Sequence, residues 1–208
     1  MIPTSLPTLE TIIKTSGLHP SRVFNVYLFG SRIYGTADQN SDWDVIMVAN
    51  NSVESTEIRR GLFNIHVYTP DKFQADLDWH RINNLECIFA PDWAKLKETI
   101  KFDFKLVIPK LRHSISHISS NSWVKAKKKI MVADDYKSGI KSLFHSIRIV
   151  MFGTQIVSTG RISDFECANY IWKNIMTKYN WTWKELDNEF REIHNKVLTE
   201  FRLVANEK

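Results

Sequence analysis

Cysteine is almost missing from this chain: Cys87 and Cys167 are its only two, and they lie far apart. Two isolated thiols build neither a CxxC metal cluster nor a secreted disulfide framework, so a reducing, intracellular and cytoplasmic setting is expected. Glycine and proline are scarce as well, 7 and 6 among 208 residues, which excludes collagen-like and low-complexity chains. No apolar run approaches the ~18 residues of a membrane span, and MIPTSLPTLE has neither a basic n-region nor an apolar h-region. Membrane insertion and secretion are not expected. Acids fall short of bases, 23 against 28, leaving a net charge of +5 and a pI near 9.1. The excess is concentrated between Lys97 and Arg148, so a polyanion would bind the second half. The remaining composition, 43% apolar and 25% charged, is that of a globular protein. At this length roughly 70% of the unfolded surface can be buried, and a core needs no disulfide or structural zinc.

Leu9, Ile12 and Ile13, followed by Gly17, predict a short helix. In FNVYLF (24–29) Phe24, Val26 and Leu28 alternate with Asn25 and Tyr27, the period of a strand, and the chain then runs directly into Gly30-Ser31. Beyond the polar turn TADQNS (36–41), WDVIMVA (43–49) is strongly strand-like. LFNIHVY (62–68) predicts a third strand ending at Thr69-Pro70, with Thr69 as N-cap and Pro70 at the first helical position. A helix through Phe73 and Leu77, toward Ile82, should follow. LECIFA (85–90) and FKLVIP (104–109) read as short β-prone segments. After Pro109 apolar residues recur at helical spacing, in one stripe of Ile140, Leu143, Phe144, Ile147 and Met151 and another of Phe190, Ile193, Val197 and Phe201. The expected fold is α+β: residues 1–105 form a catalytic domain with a mixed sheet and flanking helices, and 106–208 a helical domain for substrate or RNA.

The stretch richest in chemistry is LFGSRIYGTADQNSDWDVIMV (28–48). A strand delivers the chain into Gly30-Ser31, Gly35 follows, and Ser41-Asp42-Trp43-Asp44 opens the next strand. Aspartates at i and i+2 in extended chain point to one side, close enough to share divalent ions, while Trp43 faces the other way. Such hard oxygen ligands suit Mg²⁺, which completes its octahedron with waters and substrate phosphates. Gly30 lets the backbone approach a phosphate, to which Ser31 and the amides of the following turn can donate.

GSxxYG followed by SDxD between two strands resembles the signature of the DNA polymerase β-like nucleotidyltransferase superfamily. The resemblance implies that Gly30 and Ser31 bind the triphosphate of an NTP, with Arg32 as a further phosphate donor. It also implies that Asp42 and Asp44 hold two Mg²⁺ ions, or Mn²⁺ in their place, for attack of a hydroxyl on the α-phosphate. Lys72-Phe73, the run NLECIF and a later HSIR are similar to a subfamily of predicted nucleotidyltransferases associated with RNA repair, and extend the likeness to about residue 155. The superfamily supplies a third carboxylate from a neighbouring strand, and at the apparent equivalent position this chain has His66. An imidazole can ligate a metal or accept a proton but brings no negative charge. His66 is either the third catalytic residue or a strand histidine facing solvent; Glu86 and Asp71 are alternative carboxylates, although Asp71 also fits the acid that favours a helix's first turn.

Lys137, Lys141, His145 and Arg148 follow one another along a helix face distinct from its apolar stripe. They either bind phosphates of a nucleotide or RNA or form a solvated basic face. Lys125, Lys127, Lys128 and Lys129 wrap most of a turn and cannot all address one ligand. His113 and His117 have the spacing of a zinc pair, but without a third ligand they read as surface residues. Trp172, Trp181 and Trp183 read as packing anchors rather than base-stacking platforms. The function expected is Mg²⁺-dependent transfer of a nucleoside monophosphate from an NTP to a hydroxyl, most naturally an RNA or tRNA 3′ end given the basic second half. The alternatives are transfer to a protein or small molecule, or an inactive nucleotide- or RNA-binding module.

Overall fold

The computed structural model describes residues 6–206, and the chain divides after Lys105 into two compact units. The first is a mixed five-stranded sheet with helices. Helix α1 (Leu9–Ser16) is capped by Thr8 and stopped by Gly17 in the left-handed conformation. Strands β1 (Val23–Phe29), β2 (Trp43–Ala49), β3 (Ser55–Arg60), β4 (Phe63–Tyr68) and β5 (Lys95–Glu98) lie in the order β3-β4-β2-β1-β5. Only β2 and β4 run parallel.

Register divides the side chains between two faces. Val26, Leu28, Val45, Met47, Ile65 and Val67 share one, all at most 1% exposed. On the other lie Tyr27, Phe29, Asp44, Ile46, Asn64 and His66, flanked on β3 by Glu57 and Arg59. Both faces of β1 are therefore covered from Asn25 to Leu28, Tyr27 included, and the alternation that FNVYLF suggests is not one of buried against exposed. The covering ring is Phe73 of α2 (Pro70–Asp78), stacked on Tyr27 at 6.0 Å and set edge-on to Tyr68 at 6.3 Å. Thr69 accepts from the Lys72 amide and Pro70 opens α2, as its sequence predicts.

Two β-prone readings are corrected. LECIFA belongs to a helix, α3 (Ile82–Phe89), in which Ile82, Leu85 and Cys87 are buried. FKLVIP contributes no strand: residues 101–107 are irregular, Ile108 begins a helix, and the last strand is the earlier KLKE. Apolar run length alone does not separate a short buried helix from a strand. Strand β3 escapes the reading because STEIRR is a polar edge strand, its outward charges blunting further pairing.

The second unit is helical: α4 (Ile108–Met131), α5 (Tyr136–Thr159), α6 (Asn169–Met176) and α7 (Trp183–Val204). The stripes of α5 and α7 supply its core, including Leu143, Ile147, Phe190 and Phe201. A capping box between Thr182 and Glu185 starts α7. Trp183 packs edge-on to Trp123, and Trp172 lies 5.1 Å from Phe144.

Candidate active site

The end of the first unit's second face left open by Phe73 carries the groups with chemistry. Strand β1 leaves the sheet at Phe29, which pairs with Asp44, so Gly30 sits directly above the Asp44 side chain. Gly30 adopts φ +81°, and a Cβ there would lie 2.2 Å from Asp44 Oδ2 and 2.9 Å from its Cβ and Cγ. The glycine thus serves two needs: a left-handed turn and room for a carboxylate against the backbone. The segment from Ser31 to Gly35 then coils into one helical turn, with the Ile33 and Tyr34 amides donating to Gly30 O and that of Thr36 to Ser31 O. The amides of Ser31 and Arg32 head this turn, the position at which a helix start receives anions.

Three devices hold the turn and the aspartates together. Arg32 lays its guanidinium over the Trp43 ring, 4.2 Å from the centroid, and donates to Ser41 O. The Asp38 carboxylate accepts from Ser41 Oγ and the Asn40 amide, closing the loop before Asp42. Tyr34, buried, donates to Glu86 Oε2 of α3, itself 1% exposed. Glu86 therefore braces the Ser31–Gly35 turn through Tyr34. Asp71 occupies the exposed first turn of α2.

Asp42 is exposed and Asp44 half-buried, with Trp43 between them 7% exposed and turned inward. Across β2 and β4 the partner of Asp44 is Asn64, whose Nδ2 donates to Asp44 Oδ1 at 3.1 Å. His66 stands two residues further along β4, opposite Ile46, with Nε2 3.3 Å from Asn64 Nδ2 and its ring edge-on to Phe29. Among the described residues no three His, Cys, Asp or Glu side chains gather as a metal site. Asn64 is the β4 side chain that reaches Asp44. Sequence reasoning passed over it, although it lies two residues before His66 and so on the same face. Its Oδ1 is buried without a hydrogen-bond partner.

Strand β3 adds an ion pair that the sequence did not disclose. Arg59 donates through Nε and Nη2 to Glu57 Oε1, at 2.8 and 2.7 Å. Arg59 holds the Glu57 carboxyl below its ordinary value, with His66 contributing, and Glu57 raises Arg59, with Asp42 and Asp44 contributing. The field of the aspartate pair thus extends to β3.

Residues 8–118 match the nucleotidyltransferase domain family, more than half of the chain. The chain belongs to that family. This nucleotidyltransferase is a transferase enzyme of the polymerase β-like type, which implies an NTP substrate. Its solved neighbours include a nucleotidyltransferase-like protein from Exiguobacterium sibiricum 255-15, 11% identical, aligned over 97% of this chain and 74% of its own with a TM-score of 0.36. No curated protein matches it. No described helix of the nucleotidyltransferase is long and apolar enough to cross a membrane.

The basic strip of the helical unit is not uniform. Lys137 and Lys141 are exposed near the start of α5. Arg148 instead lies within the apolar stripe, 4% exposed, its guanidinium 5.6 Å from the Phe144 centroid and 5.3 Å from that of Phe152. One of its terminal nitrogens meets His145 Nδ1 at 2.9 Å. The expectation of one exposed basic face is corrected: eleven residues are close to three helical turns, so Arg148 keeps the angular position of Lys137 to within about 20°, but that side of α5 is exposed near its start and buried in its later half. Burial, then Arg148 and Lys125, push His145 down to about 3.

Proposed function

We propose that this nucleotidyltransferase moves a nucleoside monophosphate from an NTP to a hydroxyl acceptor in a Mg²⁺-dependent reaction, with an RNA or tRNA 3′ end as acceptor. The observation that carries the reading is the seating of Gly30 on Asp44, which sets the phosphate-binding turn against a carboxylate with no space for a Cβ. The donor set fits a hard divalent ion. Two carboxylates and the unpartnered Asn64 Oδ1 offer oxygen ligands, and without a third charged group an ion would complete its shell from water and the NTP. Asp42 and Asp44 would hold two Mg²⁺, or Mn²⁺, and the ions would neutralise triphosphate charge and make the α-phosphate electrophilic.

The chain's own groups do the rest. Ser31 and the amides that follow Gly30 bind triphosphate oxygens, and Arg32, anchored over Trp43, adds positive charge behind them. Asn64 fixes the rotamer of Asp44 through a hydrogen bond to Oδ1. His66, on the same face, offers a base for the proton of the attacking hydroxyl. Residues 106–208 serve as the acceptor-binding domain, with Lys137 and Lys141 at its exposed surface. The motif similarity at HSIR supports the RNA-repair subfamily.

The lack of a carboxylate at His66, and on β4 beside Asp44 where Asn64 Nδ2 meets it instead, favours a second reading, an inactive module that binds nucleotide or RNA. Incubation with each α-labelled NTP and total RNA, with and without Mg²⁺, separates the two. Label in RNA only with Mg²⁺ is expected. Label on protein or on a small molecule would change the acceptor, and NTP binding without pyrophosphate release would establish the module.

A further inference from the structure

A second polar surface belongs to the helical unit alone. It is a groove of about 870 Å³ between the first turns of α4 and the last turn of α7. Arg112 of α4 and Arg202 of α7 contribute guanidinium groups to its lining. Arg112 is oriented through a hydrogen bond from Nη1 to Asn206 Oδ1. The lining also holds a column at four-residue spacing along α4: the imidazoles of His113 and His117, parallel within 8° at 6.0 Å, and then Asn121, whose amide nitrogen is 2.9 Å from His117 Nε2. Among the described residues lining the groove none carries a carboxylate. Its lining includes Ile108 and Pro109 at the start of α4, whose first turn contains no acid.

These features select for a ligand. Guanidinium groups suit phosphate oxygens, which they bind in bidentate fashion. Neutral amides and hydroxyls suit ribose 2′-hydroxyls and the base edges of an unpaired strand, while flat imidazole faces offer surfaces on which bases stack. A single small anion would leave most of the volume empty. Peptide grooves carry apolar anchors, and here the apolar lining is confined to Ile108, Pro109 and Ala205.

We infer that this groove binds single-stranded RNA, with its phosphates at Arg112 and Arg202 and its bases along the histidine column. The inference rests on the RNA-acceptor reading above and makes the groove the place where the helical unit holds the acceptor strand. It gives His113 and His117 a role other than zinc binding.

The test is fluorescence anisotropy of a short labelled single-stranded RNA titrated with the full chain over a series of KCl concentrations. Each phosphate contact on a single strand contributes about −0.7 to the slope of log affinity against log salt. Arg112→Gln/Arg202→Gln should therefore flatten the slope by about 1.4 and weaken binding tenfold or more at moderate salt. Ser120→Glu, at an exposed lining position, should weaken binding without removing any contact of the folded chain. It keeps the test decisive if loss of the Arg112–Asn206 bond impairs folding. Unchanged affinity and slope in both variants would overturn the groove while leaving RNA as acceptor. No RNA binding by the wild type at low salt would overturn both. Pyrophosphate release from NTP, measured separately, reports on the transferase site irrespective of either result.

Discussion

Replacing Gly30 with Ala perturbs the site at its tightest point. The alanine must hold φ +81°, a left-handed conformation that costs a residue with a Cβ roughly 1–2 kcal/mol. Its methyl group would also meet Asp44 at 2.2–2.9 Å, where ordinary carbon contacts need about 3.5 Å or more. Rotation of the Asp44 carboxylate relieves the contact to Oδ2 but not that to Cβ, which is fixed by the pairing of Phe29 with Asp44. Gly61→Ala is the matched control, with φ +57° and nothing within 4 Å of the added Cβ. It bears the backbone strain alone. Gly30→Ala should cost about 1–3 kcal/mol more than Gly61→Ala, the usual penalty for overpacking. In a unit of this size each kcal/mol lowers Tm by roughly 4–8 °C. Thermal unfolding followed by circular dichroism, with NTP binding by calorimetry on the same samples, reads both consequences. NTP binding should fail in Gly30→Ala and persist in Gly61→Ala. Equal melting and equal NTP affinity in the two variants would refute the claim that Gly30 exists to admit Asp44.

Three further outcomes are expected. Asn64→Asp places a second carboxylate against Asp44 Oδ1, so the variant should lose stability without divalent ions and regain it with Mn²⁺ or Mg²⁺, read as an ion-dependent Tm; indifference to the ion would show that Asn64 is not at the metal position. Tyr34→Phe removes a hydrogen bond to the buried Glu86 and should lower the urea-unfolding free energy by about 1.5–3 kcal/mol, whereas a loss below a few tenths would mean that the bond does not brace the turn. His145 and His194 are pushed down by burial, to about 3 and about 4. Because the unfolded chain then binds more protons, stability falls as pH drops below about 6.5 toward those values. His145→Gln/His194→Gln should flatten that fall in urea titrations, and an unaltered profile would assign acid sensitivity to other groups.

The sheet's central strands were legible because FNVYLF, WDVIMVA and FNIHVY are apolar, β-branched and punctuated by glycine and Thr-Pro. The opposite facing of Trp43 and Asp44 was legible because period two fixes it once a strand is granted. What escaped depends on pairing between distant segments. Strand β3 has no apolar alternation strong enough to show, and Arg59 approaches the aspartates only through the β3-β4-β2 order. Asn64 rather than His66 meets Asp44 because of a parallel register, which no local pattern encodes. Arg148 shows a further limit: a helical wheel drawn from four basic residues ignored the aromatic rings of Phe144 and Phe152, one turn to either side, which draw the guanidinium into the core.

The central proposal is that Asp42 and Asp44, the latter seated beneath Gly30, form a nucleotidyl-transfer centre. Its most direct test is single-turnover pyrophosphate release from NTP in the presence of Mg²⁺ and RNA, comparing the wild type with Asp42→Asn/Asp44→Asn. Both side chains are at least partly exposed, so the double variant should fold and melt like the wild type. The account predicts release by the wild type, dependent on the divalent ion, and its loss in the variant by two orders of magnitude or more. Release at the wild-type rate from a folded double variant would contradict it.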